Sequence, residues 1–313
     1  MKIEVKPTDY RFGDGQLKLT GVTTTNWLNH FDFFVRQKVS DGDTSDCWCF
    51  GGTKNLDAFM DALIAEGLLP QSVVDEITSM GFMDTGIDNQ LHFHSSERFA
   101  GVLSGLGTNG GNLNTAAQIF RQYGCVPFKL LPVTPDMTLA EYFAPIQQNI
   151  KDIGAKFLAL MGGKDFCQYQ WVNDGGATNI PKMAQAIAKA PFVMGVPVNA
   201  GWNQVHPTIA TGAPAHVVSG YAVNPDSSVS ISDNYAPFLK VLDKGYQISY
   251  VAQMIIQYIA PQPIPVIPIA PMPSNIAPTQ QNLTILQEIA ATLKELLSLL
   301  GEKLSGILKG LRK

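Results

Sequence analysis

Hydrophobic spacing changes character near Pro191, and that change restricts the architectures open to this 313-residue chain. Before it, apolar residues recur at the three- and four-residue intervals of helices. Leu56, Phe59, Met60, Leu63 and Ile64 predict a helix over about 53–66, with Gly67 as its stop. Further helices are predicted over 71–80, as a turn or two within 95–103, over 114–123 ending at Gly124, and over 138–153 and 181–189. After Pro191 come short β-rich runs bounded by Gly, Pro and Asn, at 192–196, 216–218, 221–223, 229–231 and 246–251. Residues 1–26 read as short strands and turns, with Gly13-Asp14-Gly15 as one turn. Helices first and strands second predict an α+β fold of two packed lobes, mainly helical at the N-terminal side and β-rich at the C-terminal side, with any site in the cleft between them.

Composition removes several classes of function. With 45% hydrophobic residues the chain can build an ample core, and a net charge of −4 without a basic cluster argues against a nucleic-acid partner. Four cysteines in this length do not make a disulfide framework. Cys47 and Cys49 are too close in sequence to pair comfortably, while nothing requires Cys125 and Cys167 to pair. A reducing compartment fits. There is no CxxC pair, so no structural zinc is expected, and no cofactor is implied. The start, MKIEVKPTDYRF, has no apolar run of a signal peptide, and no stretch has the length and apolarity of a membrane span. Asp41, Asp43 and Ser45 alternate as in a calcium loop but lack the downstream Glu and the spacing of an EF-hand. His92 and His94 alternate on one strand face without an evident third metal ligand, and neither they nor His30 and His206 show a partner pattern.

Three segments are expected: a body over 1–260, a Pro-rich linker over 261–279 near polyproline II, and a tail over 280–313. In the tail Leu283, Leu286, Ile289, Leu293, Leu296, Leu297, Leu300 and Leu304 form one helical stripe, and Leu286, Leu293 and Leu300 repeat as a heptad. Such a stripe calls for self-association or docking on a partner. A membrane surface is the competing destination, because Lys303, Lys309, Arg312 and Lys313 make the end basic.

The most informative stretch is Ser45-Asp46-Cys47-Trp48-Cys49-Phe50. It places a thiol and a bulky aromatic near the mouth of a helix, where unpaired N–H groups and the helix dipole favour an anion such as a thiolate. Gly51-Gly52-Thr53 lets the backbone run in close. A buried, inert Cys beside a core Trp would account for the same residues.

Four places in order resemble the papain-like cysteine peptidases. The Cys47 stretch resembles their Ser-Cys-Trp-Ala-Phe segment, with Trp27 upstream where they carry Asp-Trp-Arg. Ser96-Glu97, then Asn109-Gly110-Gly111 and Ala116 to Gly124, resemble the run whose glycines line the substrate cleft. Ala215-His216-Val217-Val218-Ser219-Gly220-Tyr221 is similar to the strand carrying the family's base. Ile231-Ser232-Asp233-Asn234-Tyr235-Ala236 aligns without a gap on Ile-Lys-Asn-Ser-Trp-Gly. The resemblance covers roughly residues 20–255 and implies a two-lobed papain-like fold.

The resemblance implies a thiol peptidase or amidase acting on a peptide or protein through an acyl-enzyme thioester. Cys47 would be the nucleophile, His216 the base, and Asp233 the group orienting the imidazole; a one-residue shift of the strand would give that role to Asn234. The family's oxyanion Gln lies six residues before the nucleophile, where this chain has Asp41, so Gln37 is the nearest candidate. Trp48, Asn109, Gly110 and Gly111 would bind substrate. The family's disulfide cysteines are missing beside Asn109 and before Cys47, where Thr108 and Thr44 stand. There is no room before Trp27 for the long pro-segment of secreted members. Two other functions use the same residues: a non-catalytic papain-like module docked through its Leu-rich tail, and a related acyl-transfer enzyme of transglutaminase type.

Overall fold

In a computed structural model the chain divides into Met1–Pro261 and Gln262–Lys313. The structure describes residues 3–6, 9–13, 21–22, 24–260 and Lys294. The linker over 261–279, the Leu stripe of 280–313 and the turn at Asp14-Gly15 lie outside the described residues.

Seven α-helices are described: α1 Cys47–Ala65, α2 Gln71–Met80, α3 Glu97–Leu103, α4 Thr115–Tyr123, α5 Leu139–Tyr142, α6 Gln148–Leu160 and α7 Ile180–Ala186. The described strands are β1 Lys38–Val39, β2 Gly42–Asp43, β3 Met83–Thr85, β4 Leu91–Phe93, β5 Cys167–Asp174, β6 Phe192–Val196, β7 His216–Val223, β8 Val229–Ser232, β9 Leu239–Leu242 and β10 Tyr250–Ile256. β5 to β10 form one antiparallel sheet in the order β5-β10-β6-β7-β8-β9. The fold is α+β, with the helices mostly before the sheet in sequence.

Helix α1 is the axis of the body. Every residue from Cys47 to Leu63 is buried, so the helix has no solvent face and each polar side chain on it must find a partner inside the protein. Lys54 Nζ donates to the Asp233 carbonyl at 2.6 Å and to Ser232 Oγ at 3.2 Å. Asn55 Nδ2 donates to Gly51 O, Phe192 O and Ser219 Oγ. Asp57 accepts from the backbone and hydroxyl of Ser95, and Asp61 faces His30 and His92. These bonds tie the helix to the sheet on one side and to the β3–β4 hairpin on the other.

The helix starts six residues earlier than its apolar spacing predicts. Gly51 and Gly52 are poor helix formers, yet both lie inside it because packing decides. A Cβ at Gly52 would come 2.3 Å from Ala116 Cβ on α4, and one at Gly51 would come 3.1 Å from Val217 Cγ1 on β7. Two side-chain-free positions let the helix lie flush between its neighbours.

Other boundaries also move. The predicted helix over 138–153 breaks into α5 and α6, with Pro145 between them limiting the residue before it. The runs at 216–218 and 221–223 are one strand, with an irregularity between Gly220 and Ala222. The last strand begins at Tyr250, since Tyr246 instead turns its hydroxyl to Pro197 O at 2.6 Å. The loop over 40–44 is part of the β1–β2 hairpin, which pairs Val39 with Gly42.

Candidate active site

The β7–β8 pairing matches Ser219 with Ser232. His216 at the start of β7 and Asp233 just past the end of β8 therefore meet at one end of the sheet. The N-terminus of α1 reaches the same end because Gly51 packs on Val217. His216 Nε2 lies 2.6 Å from Asp233 Oδ1, and the Cys47 side chain is the other hydrogen-bond partner of the imidazole. With Nε2 engaged by Asp233, Nδ1 is the nitrogen available to the thiol.

The electrostatics favour a charged imidazole. Burial pushes the His216 pKa down, but hydrogen bonds to Asp233 and Cys47 and the Asp233 charge outweigh it and raise it to about 9. Burial likewise opposes the charge on Asp233, while His216 and Lys240 hold its carboxyl down at about 2. Asp233 is fully buried and saturated with donors. Besides His216, its Oδ1 accepts from the Asn234 N–H at 2.6 Å; its Oδ2 accepts from Trp202 Nε1 at 2.9 Å and from Lys240 Nζ. The Trp202 ring stands edge-on to the His216 ring at 5.6 Å between centroids, and Tyr235 packs on it at 5.2 Å. The imidazole is thus packed by two aromatic rings as well as bonded.

Of the two orienting residues left open by the sequence, Asp233 takes the contact with His216. Asn234 is buried with neither side-chain polar atom hydrogen-bonded; its carbonyl faces the Gln37 N–H at 3.5 Å.

A cleft of about 350 Å³ opens over Cys47, lined also by Gln37, Asp43, Ser45, Thr108, Asn109, Gly110, Gly111, Ala215 and Tyr235. It gathers five of the residues singled out from sequence. Gly110 has φ +73°, a conformation that favours glycine, and a Cβ there would meet only Ser45 O at 3.7 Å. Asn109 is exposed and donates to Leu106 O at 2.8 Å.

Trp48 is the exception among the proposed substrate contacts. It is fully buried and does not line the cleft. A Cβ at Gly111 would come within 2.7 Å of its indole ring, so Gly111 is small in order to pack on Trp48, and Trp48 supports the cleft floor from behind.

Asp41, at the position where the resemblance would put an oxyanion donor, accepts from the Leu139 N–H at 2.7 Å. Gln37 is buried, and its Nε2 donates to Asp43 Oδ1 at 2.6 Å. Asp43 also accepts from the Ser45 N–H at 2.8 Å and from the Tyr235 hydroxyl. The alternating Asp41, Asp43 and Ser45 thus hold local structure together.

All four cysteines are free. Cys49 is fully buried, its thiol donates to Glu97 O at 2.8 Å, and burial pushes its pKa well up. Cys125 and Cys167 are also buried, with pKa values raised by burial. Each histidine outside the site faces a carboxylate, contrary to the sequence reading: His30 with Asp61, His92 with Asp32, Asp61 and Asp88, His94 with Asp84, and His206 with Asp243. His94 is stacked between Phe33 and Phe128, and burial lowers its pKa to about 3, so it is neutral.

No protein-family model and no curated protein sequence matches the chain. Among solved structures it is similar to digestive procathepsin L 3 of Tenebrio molitor larval midgut, at 11% identity and a TM-score of 0.48, over 79% of this chain and 74% of that one. It is also similar to the proform of the ragweed pollen allergen Amb a 11 cysteine protease, at 14% identity and a TM-score of 0.47, over 88% and 67%. Bromelain protease from Ananas comosus matches at 14% identity and a TM-score of 0.45, over 74% and 98%. No helix of the described residues is long and apolar enough to cross a membrane.

Proposed function

We propose that the chain is a papain-like thiol hydrolase that cleaves amide bonds in peptides. The observation that carries this reading is the buried His216–Asp233 pair at 2.6 Å, with Cys47 bonded to the same imidazole at the N-terminus of a helix. The Cys47 thiolate attacks the substrate carbonyl, whose π electrons move to oxygen. The Cys47 N–H at the helix start and the second N–H of the Gln37 amide would donate to that oxyanion. The His216 imidazolium then gives its proton to the leaving amine, and a thioester remains. Water attacks the thioester, giving its proton to His216, and the acid product leaves. Gly110 lets an extended substrate backbone approach.

A second reading, a non-catalytic papain-like module, has one observation in its favour. The Asp43 carboxylate lines the same cleft and already holds the Gln37 amide. An oxyanion forming there would meet a negative group.

Alkylation by iodoacetamide, with the modified residue located by mass spectrometry, separates the two. The peptidase reading expects rapid labelling of Cys47 and none of buried Cys49. It also expects Cys47→Ala to abolish hydrolysis while Cys49→Ala keeps most of it. Slow labelling of Cys47 would favour the module, and amine incorporation without cleavage would favour the transglutaminase-type enzyme.

A further inference from the structure

Away from the cleft, the other end of α1 carries a cluster that the proposed chemistry does not use. Asp61 on α1, Asp32 just after the 3₁₀ turn Leu28–His30, and His92 on β4 bring one donor atom each within 4.8 Å of one another, and all three residues are buried. His92 Nδ1 lies 3.0 Å from Asp32 Oδ2 and 3.1 Å from Asp61 Oδ2. These are not ordinary hydrogen bonds. Neither His92 Nδ1 nor Asp32 Oδ2 has a hydrogen-bond partner, although both atoms are out of contact with solvent.

The opposite ring nitrogen explains the arrangement. His92 Nε2 lies 3.0 Å from Asp88 Oδ1. In the neutral ring that donates to Asp88, Nδ1 presents a lone pair toward two carboxylate oxygens; in the protonated ring, which burial opposes but Asp61, Asp88 and Asp32 favour, it carries a proton toward them. Two buried carboxylates converging on one imidazole nitrogen need positive charge among them, and a metal ion can take the place of the His92 proton there. A carboxylate behind a histidine is also the usual support of a metal ligand, because it fixes the tautomer and raises ligand basicity.

The surroundings are built to hold these donors. His30 Nδ1 lies 2.7 Å from Asp61 Oδ2 and fixes that carboxylate. Gly86, in the turn joining β3 and β4, closes over the other two ligands. A Cβ there would come 2.7 Å from His92 Cδ2 and 2.9 Å from Asp32 Cβ. Zn–N and Zn–O bonds of about 2.0–2.1 Å imply donor–donor edges of roughly 3.3 Å in a tetrahedron. The observed 3.0 and 3.1 Å separations need to open only slightly.

We propose that His92, Asp32 and Asp61 form a structural site for a divalent transition-metal ion of the zinc type, with Asp88 and His30 as its outer supports. One imidazole and two carboxylates suit such an ion. Zinc needs one further ligand beyond these three, a single water, whereas magnesium keeps several. The ion would staple three parts of the helical side: the segment after Trp27, the end of α1 and the β3–β4 hairpin.

The test uses the full chain carrying Cys47→Ala, which removes the cleft-lining thiol that competes for soft metals. After chelator treatment, Zn²⁺ is titrated calorimetrically and Co²⁺ is added for its spectrum. The expected result is one saturable equivalent of Zn²⁺, a raised Tm, and a Co²⁺ spectrum without a thiolate charge-transfer band. Asp61→Asn and His92→Gln should each weaken binding at least ~10-fold, and Asp88→Asn by about 10- to 100-fold. His206→Gln should change nothing. Absence of saturable binding, binding unaffected by these variants, or a thiolate band placing the ion on Cys125 or Cys167 would each overturn the proposal. Should Asp61→Asn fail to fold, His92→Gln and the Co²⁺ spectrum of the parent decide.

Discussion

Asp233 and Lys240 form a fully buried ion pair directly behind His216, with the same carboxylate bonded to the imidazole through its other oxygen. The buried ammonium also donates to the Tyr235 carbonyl at 2.9 Å and lies 5.0 Å from the Trp202 ring centroid, but among the described residues Asp233 is the only carboxylate bonded to it. Asp233 is therefore held in place by more than its contact with the histidine, and its loss should register in both catalysis and stability.

Asp233→Ala should lower kcat by about two to four orders of magnitude, in the range seen when a triad's orienting acid is lost. It should also cost about 3–5 kcal/mol of stability, because Lys240 is left buried and unpaired. Asn234→Ala should keep most of the activity, since the Asn234 side chain bonds to nothing in the site. Steady-state kinetics and urea unfolding of both variants check this. A larger kinetic loss in Asn234→Ala would transfer the orienting role to Asn234.

The pH profile follows from the same pair. The His216 pKa is raised from its ordinary 6.5 to about 9. The stability it contributes is complete below about 6.5 and is lost as pH rises through about 9. The Asp233 pKa is lowered from 3.8 to about 2, so its contribution is complete above about 3.8 and is lost as pH falls through about 2. The profile of kcat/KM should accordingly show its basic limb near pH 9, where the imidazolium that protonates the leaving amine disappears, and an acidic limb where the thiolate–imidazolium pair forms. A basic limb near 6.5 would overturn the assignment of His216 as a charged partner.

For the tail over 280–313 we propose self-association through the Leu stripe. Light scattering on the full chain should give an oligomer at micromolar concentration, and a chain ending near Ala260 a monomer. If both are monomeric and only the full chain binds anionic vesicles, the tail is a membrane-surface element instead.

That the site residues belong together could be read from order and spacing along the chain: Cys47 before Trp48, Gly110 after Asn109, His216 opening an apolar strand. What surrounds them could not. Trp202 sits between β6 and β7 with no pattern around it, and Lys240 stands in a short strand where a lysine ordinarily faces water. Both matter only through Asp233, a contact made across the fold. The strand β5 escaped notice for a similar reason. Its Gln170 and Asn173 look like surface residues, yet they are buried against Gln253 and the Ile248 carbonyl. The partners of the histidines were equally invisible, since each acidic neighbour beyond a few residues is supplied by tertiary packing. The early start of α1 was hidden by two glycines whose low propensity is overridden by close approach.

The bonds from Lys54 to Ser232 and the Asp233 carbonyl, and from Asn55 to Ser219, have a mechanical consequence. Lys54 lies about two turns along α1 from Cys47, so the rod that bears the thiol also grips the two strands that bear the imidazole and its acid. Local opening that drew Cys47 away from His216 and Asp233 would have to break these buried bonds first.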